Sequence, residues 1–209
     1  MDAEAHRAAT GPIIAIDDLN DPRVADYAGI RDRDLLGAAG RPGLFVGETR
    51  LVVDRMLERE GMTRSVFVEV RHAASMRAAM DRAGRGDVPL FAAPEPIIAG
   101  IAGFNVHRGV LAIGHRPSEA SIELDRLPRD GSLRTLLACE DITNIDNVGG
   151  LYRNAAAFGA DAVLLSPQCH DHLYRKCLRV SMGHALSMRT ARSRAWPDDL
   201  RRLRDEWGL

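Results

Sequence analysis

The sequence predicts an α/β protein, and three observations carry that expectation. Residues 136–167 read in turn as strand, polar loop, helix and strand. Residues 12–117 alternate short β-rich runs with amphipathic stretches. Gly and Pro fall between the periodic segments, as at Arg41-Pro42-Gly43, Gly61 and Gly84-Arg85-Gly86.

Taken in order, residues 1–11 are acidic and lack an apolar core, so a disordered lead-in is expected rather than a signal peptide. Asp21-Pro22-Arg23 starts a helix, because proline is tolerated in a first turn. Leu44-Phe45-Val46 is a short strand. Thr49 to Arg59 is a helix with Val52, Val53, Met56 and Leu57 turned inward. Ser65 to Val70 alternates and is a strand, Ser75 to Arg82 a helix, Val88 to Phe91 a strand, Pro94 to Ile101 a short helix and Val110 to Ile113 a strand. These form one expected domain, 12–117. Residues 118–132 are polar, with prolines and a glycine, and read as a linker. A second domain is expected over 133–209.

Within it, the apolar run Leu136-Leu137-Ala138-Cys139 has the length of a buried strand. Asp, Asn and Thr between Glu140 and Asn147 suit turns and helix caps. Val148 to Phe158 is a helix whose apolar stripe is Val148, Leu151, Ala155 and Phe158, with Gly159 as its stop. Ala162 to Leu165 is a second strand. Asp171 is an expected N-cap for a helix from His172, which would carry His172, Arg175, Lys176 and Arg179 on one basic face. Leu186 to Thr190 is an expected strand. Trp196-Pro197-Asp198 begins a last helix, buried through Leu200, Leu203 and Trp207. Asn147 and Arg153 lie off the apolar stripe, near the carboxyl end of a strand, where open α/β sheets bind ligands.

The chain has 209 residues, 45% of them hydrophobic and 27% charged, with a net charge of −1. No apolar run approaches the ~20 residues of a membrane helix. Near-neutrality argues against binding nucleic acid through bulk charge, but not against a local basic face. From 172 to 204, basic residues outnumber acidic ones by nine to two. Three cysteines, Cys139, Cys169 and Cys177, form no disulfide framework, so a reducing, cytoplasmic compartment is expected. Cysteine and histidine spacing between 169 and 184 matches no standard zinc pattern, and no metal is expected.

The run Asn144-x-x-Asn147-Val148-Gly149-x-x-x-Arg153-x-Ala155-x-x-Phe158-Gly159 resembles the first signature motif of the SpoU branch of the SPOUT superfamily, the trefoil-knotted RNA 2′-O-ribose methyltransferases. Ser181-Met182-Gly183 is similar to the family's second patch. Phe45 to Glu48 and Val106 to Val110 resemble elements of a ribosomal-protein-like, RNA-binding α/β domain, although Thr49 stands where that domain usually has glycine. The resemblance implies S-adenosylmethionine as cofactor, RNA as substrate (ribosomal RNA favoured, transfer RNA possible) and a homodimer. It gives catalytic roles to Arg153 and Asn147, and makes Asn144, Glu140 and Gly149 supports of their loop. Arg175, Lys176 and Arg179 would contact RNA phosphates. A guanidinium with pKa above ~12 is a poor base, so Arg153 is expected to hold a phosphate or stabilise a developing alkoxide. Asn147 has a plain alternative as an N-cap, Gly149 as a packing residue and Ser181 as a structural cap.

The family's later Gly-x-Glu-Gly, Ile-Pro and Ser-Leu-Asn segments, which wrap the cofactor, are not found in these residues. The expectation is therefore a C-terminally truncated piece, with the cofactor-binding residues beyond Leu209. An RNA-binding remnant without catalysis is the competing expectation.

Overall fold

The computed structural model describes residues 11–30 and 43–209, apart from the side chain of His107. The Arg41-Pro42 turn and nearly all of the expected lead-in lie outside these residues. The described residues form two compact units, 11–30 with Leu44–His115, and Arg116–Leu209.

The first unit is built on a five-stranded sheet. Its strands are β1 (Ile13–Ala15), β2 (Leu44–Glu48), β3 (Thr63–Glu69), β4 (Leu90–Ala93) and β5 (Val110–His115), in the order β1-β4-β3-β5-β2. Pairing is parallel from β1 through β4 to β3 and antiparallel from β3 through β5 to β2. Helices α1 (Arg50–Leu57), α2 (Val70–Arg82) and α3 (Glu95–Ala102) complete it. Val52, Val53, Met56 and Leu57 are the buried face of α1, as their spacing predicts. Strand β1 is an addition to the sequence reading. Three residues at a sheet edge are too few for periodicity to register.

The core of this unit centres on edge-to-face rings, with Phe67 5.2 Å from Tyr27 and 6.5 Å from Phe91. The Tyr27 hydroxyl is fully buried and lies 2.8 Å from Ser65 Oγ. Burial raises its pKa well above that of a free phenol. At the end of β2, Thr49 has φ 82° and ψ 150°. That is backbone space which glycine enters freely and a β-branched residue enters only under strain.

The second unit holds β6 (Leu136–Cys139), β7 (Ala162–Leu165) and β8 (Arg189–Arg192), all parallel, in the order β6-β7-β8. Its helices are α4 (Ile145–Ala157), α5 (Arg175–Val180), α6 (His184–Ser187) and α7 (Asp198–Arg202). Its core joins Leu164 and Ala191 of the sheet to Leu124, Leu127, Leu133 and Leu203. Residues 118–132 are thus no free linker. They fold into 3-10 turns that place Leu124 and Leu127 in this core.

Several boundaries move. Helix α4 starts at Ile145, three residues before the apolar stripe, because Asn144 caps it. The expected strand at 186–190 is a short helix followed by β8, three residues further on. The expected helix from His172 begins only at Arg175, with Asp171 Oδ1 instead accepting from Leu173 N in a turn, at 2.9 Å. Leu200 is exposed, and the neighbouring Asp199 is buried in its place by a 2.7 Å hydrogen bond from Ser193 Oγ. Strand β6 is only half buried, since it is an outer strand among the described residues.

The strain at Thr49 has a measurable consequence. Thr49→Gly should raise the stability of the protein to denaturant by about 1 kcal/mol, the low end of the cost of such a conformation. Chemical denaturation followed by circular dichroism measures it, and a neutral or destabilising result would show the turn to be unstrained.

Candidate functional site

The parallel sheet of the second unit brings the loops after β6 and β7 side by side at its carboxyl end. They are joined by main chain and side chain. Ser166 N donates to Cys139 O at 2.9 Å and His170 N to Ile142 O at 2.8 Å. The fully buried Ser166 Oγ donates to Asp141 Oδ1 at 2.8 Å and accepts from Asp141 N at 2.9 Å. The reciprocal pair holds Asp141 at φ 50°, a left-handed conformation that Asp tolerates better than most residues. Arg192, at the end of β8, donates to the carbonyls of Ser166, Pro167, Cys169 and His170, the shortest at 3.0 Å to Cys169. Arg116 Nη2 pairs with Asp171 Oδ2 at 2.6 Å. Glu140 Oε1 accepts from Trp196 Nε1 at 2.7 Å, which ties the end of β6 to the segment after β8.

Asn144, Asn147 and Arg153 are carried on this framework. Asn144 is the N-cap, its Oδ1 accepting from Asp146 N at 2.9 Å and Asn147 N at 3.1 Å. Capping therefore belongs to Asn144, and the exposed Asn147 side chain is left out of it. Arg153 is exposed and forms no hydrogen bond or ion pair among the described residues. Six residues of helix set Asn147 and Arg153 about 120° apart around the axis and about 9 Å along it. No hydrogen bond joins them, so Asn147 does not orient the guanidinium directly. The stripe that α4 buries is Val148, Gly149, Tyr152 and Ala155. Phe158 falls outside it, 88% exposed, because the stripe turns toward Gly149 and Tyr152 instead.

Gly149 is needed for packing. A Cβ there would lie 2.8 Å from Val180 Cβ and 2.9 Å from Cys177 O. Glycine thus lets α4 and α5 approach, which supports the packing alternative. Ser181 is fully buried, its Oγ donating to Leu178 O at 3.1 Å, a structural cap on α5.

The basic face is thinner than the sequence suggests. Lys176 Nζ is 2.8 Å from Asp146 Oδ2. Arg194 pairs with Glu123, Arg201 with Asp198, Arg202 with Asp125 and Glu206, and Arg204 with Asp205. Most of these acids lie outside the 172–204 window, so its local excess of charge is largely neutralised in space. Arg175 is partly buried and Arg179 exposed on α5. His172 leaves the face altogether. It is 5% exposed and stacks on Tyr152 with ring centroids 5.7 Å apart. Burial holds its pKa down, at about 4.

Among the described residues, no group of three or more His, Cys, Asp or Glu could hold a metal ion. No helix is long and apolar enough to cross a membrane. S-adenosylmethionine needs free donors and acceptors, yet Ser166, just after β7, and Arg192, at the end of β8, are engaged with Asp141 and with backbone. These residues do not fit the cofactor by themselves. Ser166, Asp141, Arg116 and Arg192 escaped sequence reasoning, since each acts through a partner at least 20 positions away.

A parallel three-stranded sheet, with polar loops and a capped helix at its carboxyl end, defines the class. Residues 134–209 match the model described as the SpoU rRNA Methylase family. An uncharacterized tRNA/rRNA methyltransferase of Mycobacterium bovis is 36% identical over 194 residues, covering 90% of this chain and 63% of that protein. The chain thus spans under two thirds of the length of this relative. An AdoMet-bound rRNA methyltransferase from Sinorhizobium meliloti shares the fold, with a TM-score of 0.67 at 21% identity over 93% of this chain and 69% of that one. An RNA 2′-O ribose methyltransferase superposes with a TM-score of 0.64 at 19% identity, covering 92% of this chain and 70% of that one.

His172 sets a pH dependence of stability. Its folded pKa of about 4 lies below the ordinary 6.5, so the unfolded chain binds the extra proton between these values. Stability should fall as pH drops from 6.5 to 4, by on the order of 3 kcal/mol, and His172→Phe should flatten that segment. Denaturant midpoints against pH for both proteins test this; parallel curves would contradict it.

Proposed function

We propose that this chain handles the RNA acceptor in an S-adenosylmethionine-dependent methyltransferase that modifies ribose 2′-hydroxyls of ribosomal or transfer RNA, ribosomal RNA being favoured. One observation carries the proposal: within the family-matched segment, the third turn of α4 presents an exposed Arg153 that is unpaired among the described residues, on a helix whose start Asn144 caps. The tRNA/rRNA methyltransferase relative, and the bound AdoMet of one structural neighbour, support the reaction class and cofactor.

The chemistry follows from what a ribose needs. The cofactor supplies an electrophilic methyl group. The 2′-hydroxyl is a weak nucleophile and must lose its proton as it attacks. Arg153 fits the electrostatic side of this step, because its planar fork holds a phosphate or a developing alkoxide and stays charged. Asn147, with its amide free, offers a donor and an acceptor to ribose or phosphate from the first turn of the helix. The N-terminal end of α4 adds a favourable dipole for an anion. Arg175 and Arg179 on α5 extend the cationic surface toward the backbone of the RNA, and the working form is a homodimer.

A second reading, an RNA-binding protein without catalysis, is favoured by the internal pairing of Ser166 and Arg192, which commits both side chains to the protein itself. Calorimetry with S-adenosylmethionine, followed by transfer of labelled methyl to ribosomal RNA, separates the two. Arg153→Ala and Arg153→Lys should each lower transfer by roughly 100-fold or more without changing the unfolding midpoint. Asn147→Ala should likewise reduce transfer at constant stability, whereas Asn144→Ala should cost about 1 kcal/mol of stability. Absence of both cofactor binding and transfer in the wild-type protein would favour the second reading.

A further inference from the structure

We infer that Arg192 is a positioning residue for the acceptor loop, acting through the 166–170 segment and never touching substrate. The inference rests on the acceptor role proposed for α4. Its basis is a chain of contacts. The Arg192 guanidinium takes four acceptors of one loop: its Nη1 donates to the carbonyls of Ser166, Pro167 and Cys169, and its Nη2 to that of His170. The same loop is fastened on its other side to the segment leading into α4. Ser166 Oγ exchanges hydrogen bonds with Asp141, His170 N donates to Ile142 O, and Cys169 Sγ donates to Cys139 O at 3.1 Å. Two residues beyond Ile142, Asn144 caps α4.

A guanidinium can hold this arrangement because it carries five donors in a rigid plane. The last residue of β8 thereby sets the height of the loop after β7, and that loop sets the strained Asp141 turn and the start of α4. Among the described residues, Arg192 is the one residue of β8 whose side chain donates to that loop, so one cation couples three strands. A misplacement of a catalytic group by about 1 Å can lower a rate 100-fold, which is why a residue remote from the acceptor can control it.

Amide hydrogen exchange and steady-state kinetics on the intact protein test this together. In Arg192→Met, exchange at Ser166, His170, Asp141 and Asn147 should rise about tenfold or more, while β7 and the centre of α4 keep their protection. The kcat for methyl transfer should fall about tenfold or more with KM for RNA little changed, and Arg192→Lys should restore part of both. If Arg192→Met does not fold, Ser166→Ala breaks the same chain from the other side and should loosen Asp141 and Asn147 alike. Exchange that rises evenly through the unit, or that stops at 166–170 without reaching 141–147, would overturn the inference, as would an unchanged kcat. If the wild-type protein transfers no methyl group, the proposed function fails by itself, and the exchange data still decide whether Arg192 positions the loop.

Discussion

Strand β7 pairs in parallel with β6 on one side and β8 on the other, Leu164 lying opposite both Ala138 and Ala191. Parallel pairing sends all three strands toward the same end of the sheet, and connections must return by crossover helices. The loops after β6, β7 and β8 therefore meet there. Each then binds its neighbour: Asp141 and Ser166 between the first two, and Arg192 between the last two. Without this register, Asn144 would cap a helix with no fixed relation to α5 or to the loop after β7.

Close packing sets what α4 can show to solvent. Gly149 admits α5, and Tyr152 is buried with its hydroxyl 2.9 Å from Thr190 Oγ1 on β8. With that side fixed, Asn147, Arg153 and Phe158 must face outward. Desolvation acts on the same cluster. It raises the Tyr152 pKa, raises that of the Cys177 thiol to about 12, and keeps His172 neutral near pH 7. The cluster of Tyr152, His172 and Cys177 is thus uncharged near pH 7, and the exposed Arg153 and Arg179 lie on the outer faces of α4 and α5.

Much of this was legible in the residues. The strand–loop–helix–strand order of 136–167, the buried face of α1 and the glycine after α4 all follow from periodicity and turn chemistry. The Asn-Asn-Gly-Arg spacing pointed to the family on which residues 134–209 match. What could not be read depends on distance in space. Nothing near Lys176 or Arg194 in sequence shows that Asp146 or Glu123 pairs with it, and nothing near Arg192 shows four carbonyls converging on it. His172 looked like a member of a basic face because a helix was extended back through it; a turn at Asp171 rotated it into the core. Leu200 failed for a related reason, since buried Asp199 has four hydrogen-bonding partners that a helical wheel does not contain.

The central claim is that the exposed guanidinium of Arg153 acts on an RNA ribose. Its most direct test is the map of 2′-O-methylated nucleotides in cellular ribosomal and transfer RNA from a strain lacking the gene. One modified nucleotide should disappear, return with the wild-type gene, and fail to return with Arg153→Ala. An unaltered methylation map, or full restoration by Arg153→Ala, would contradict it.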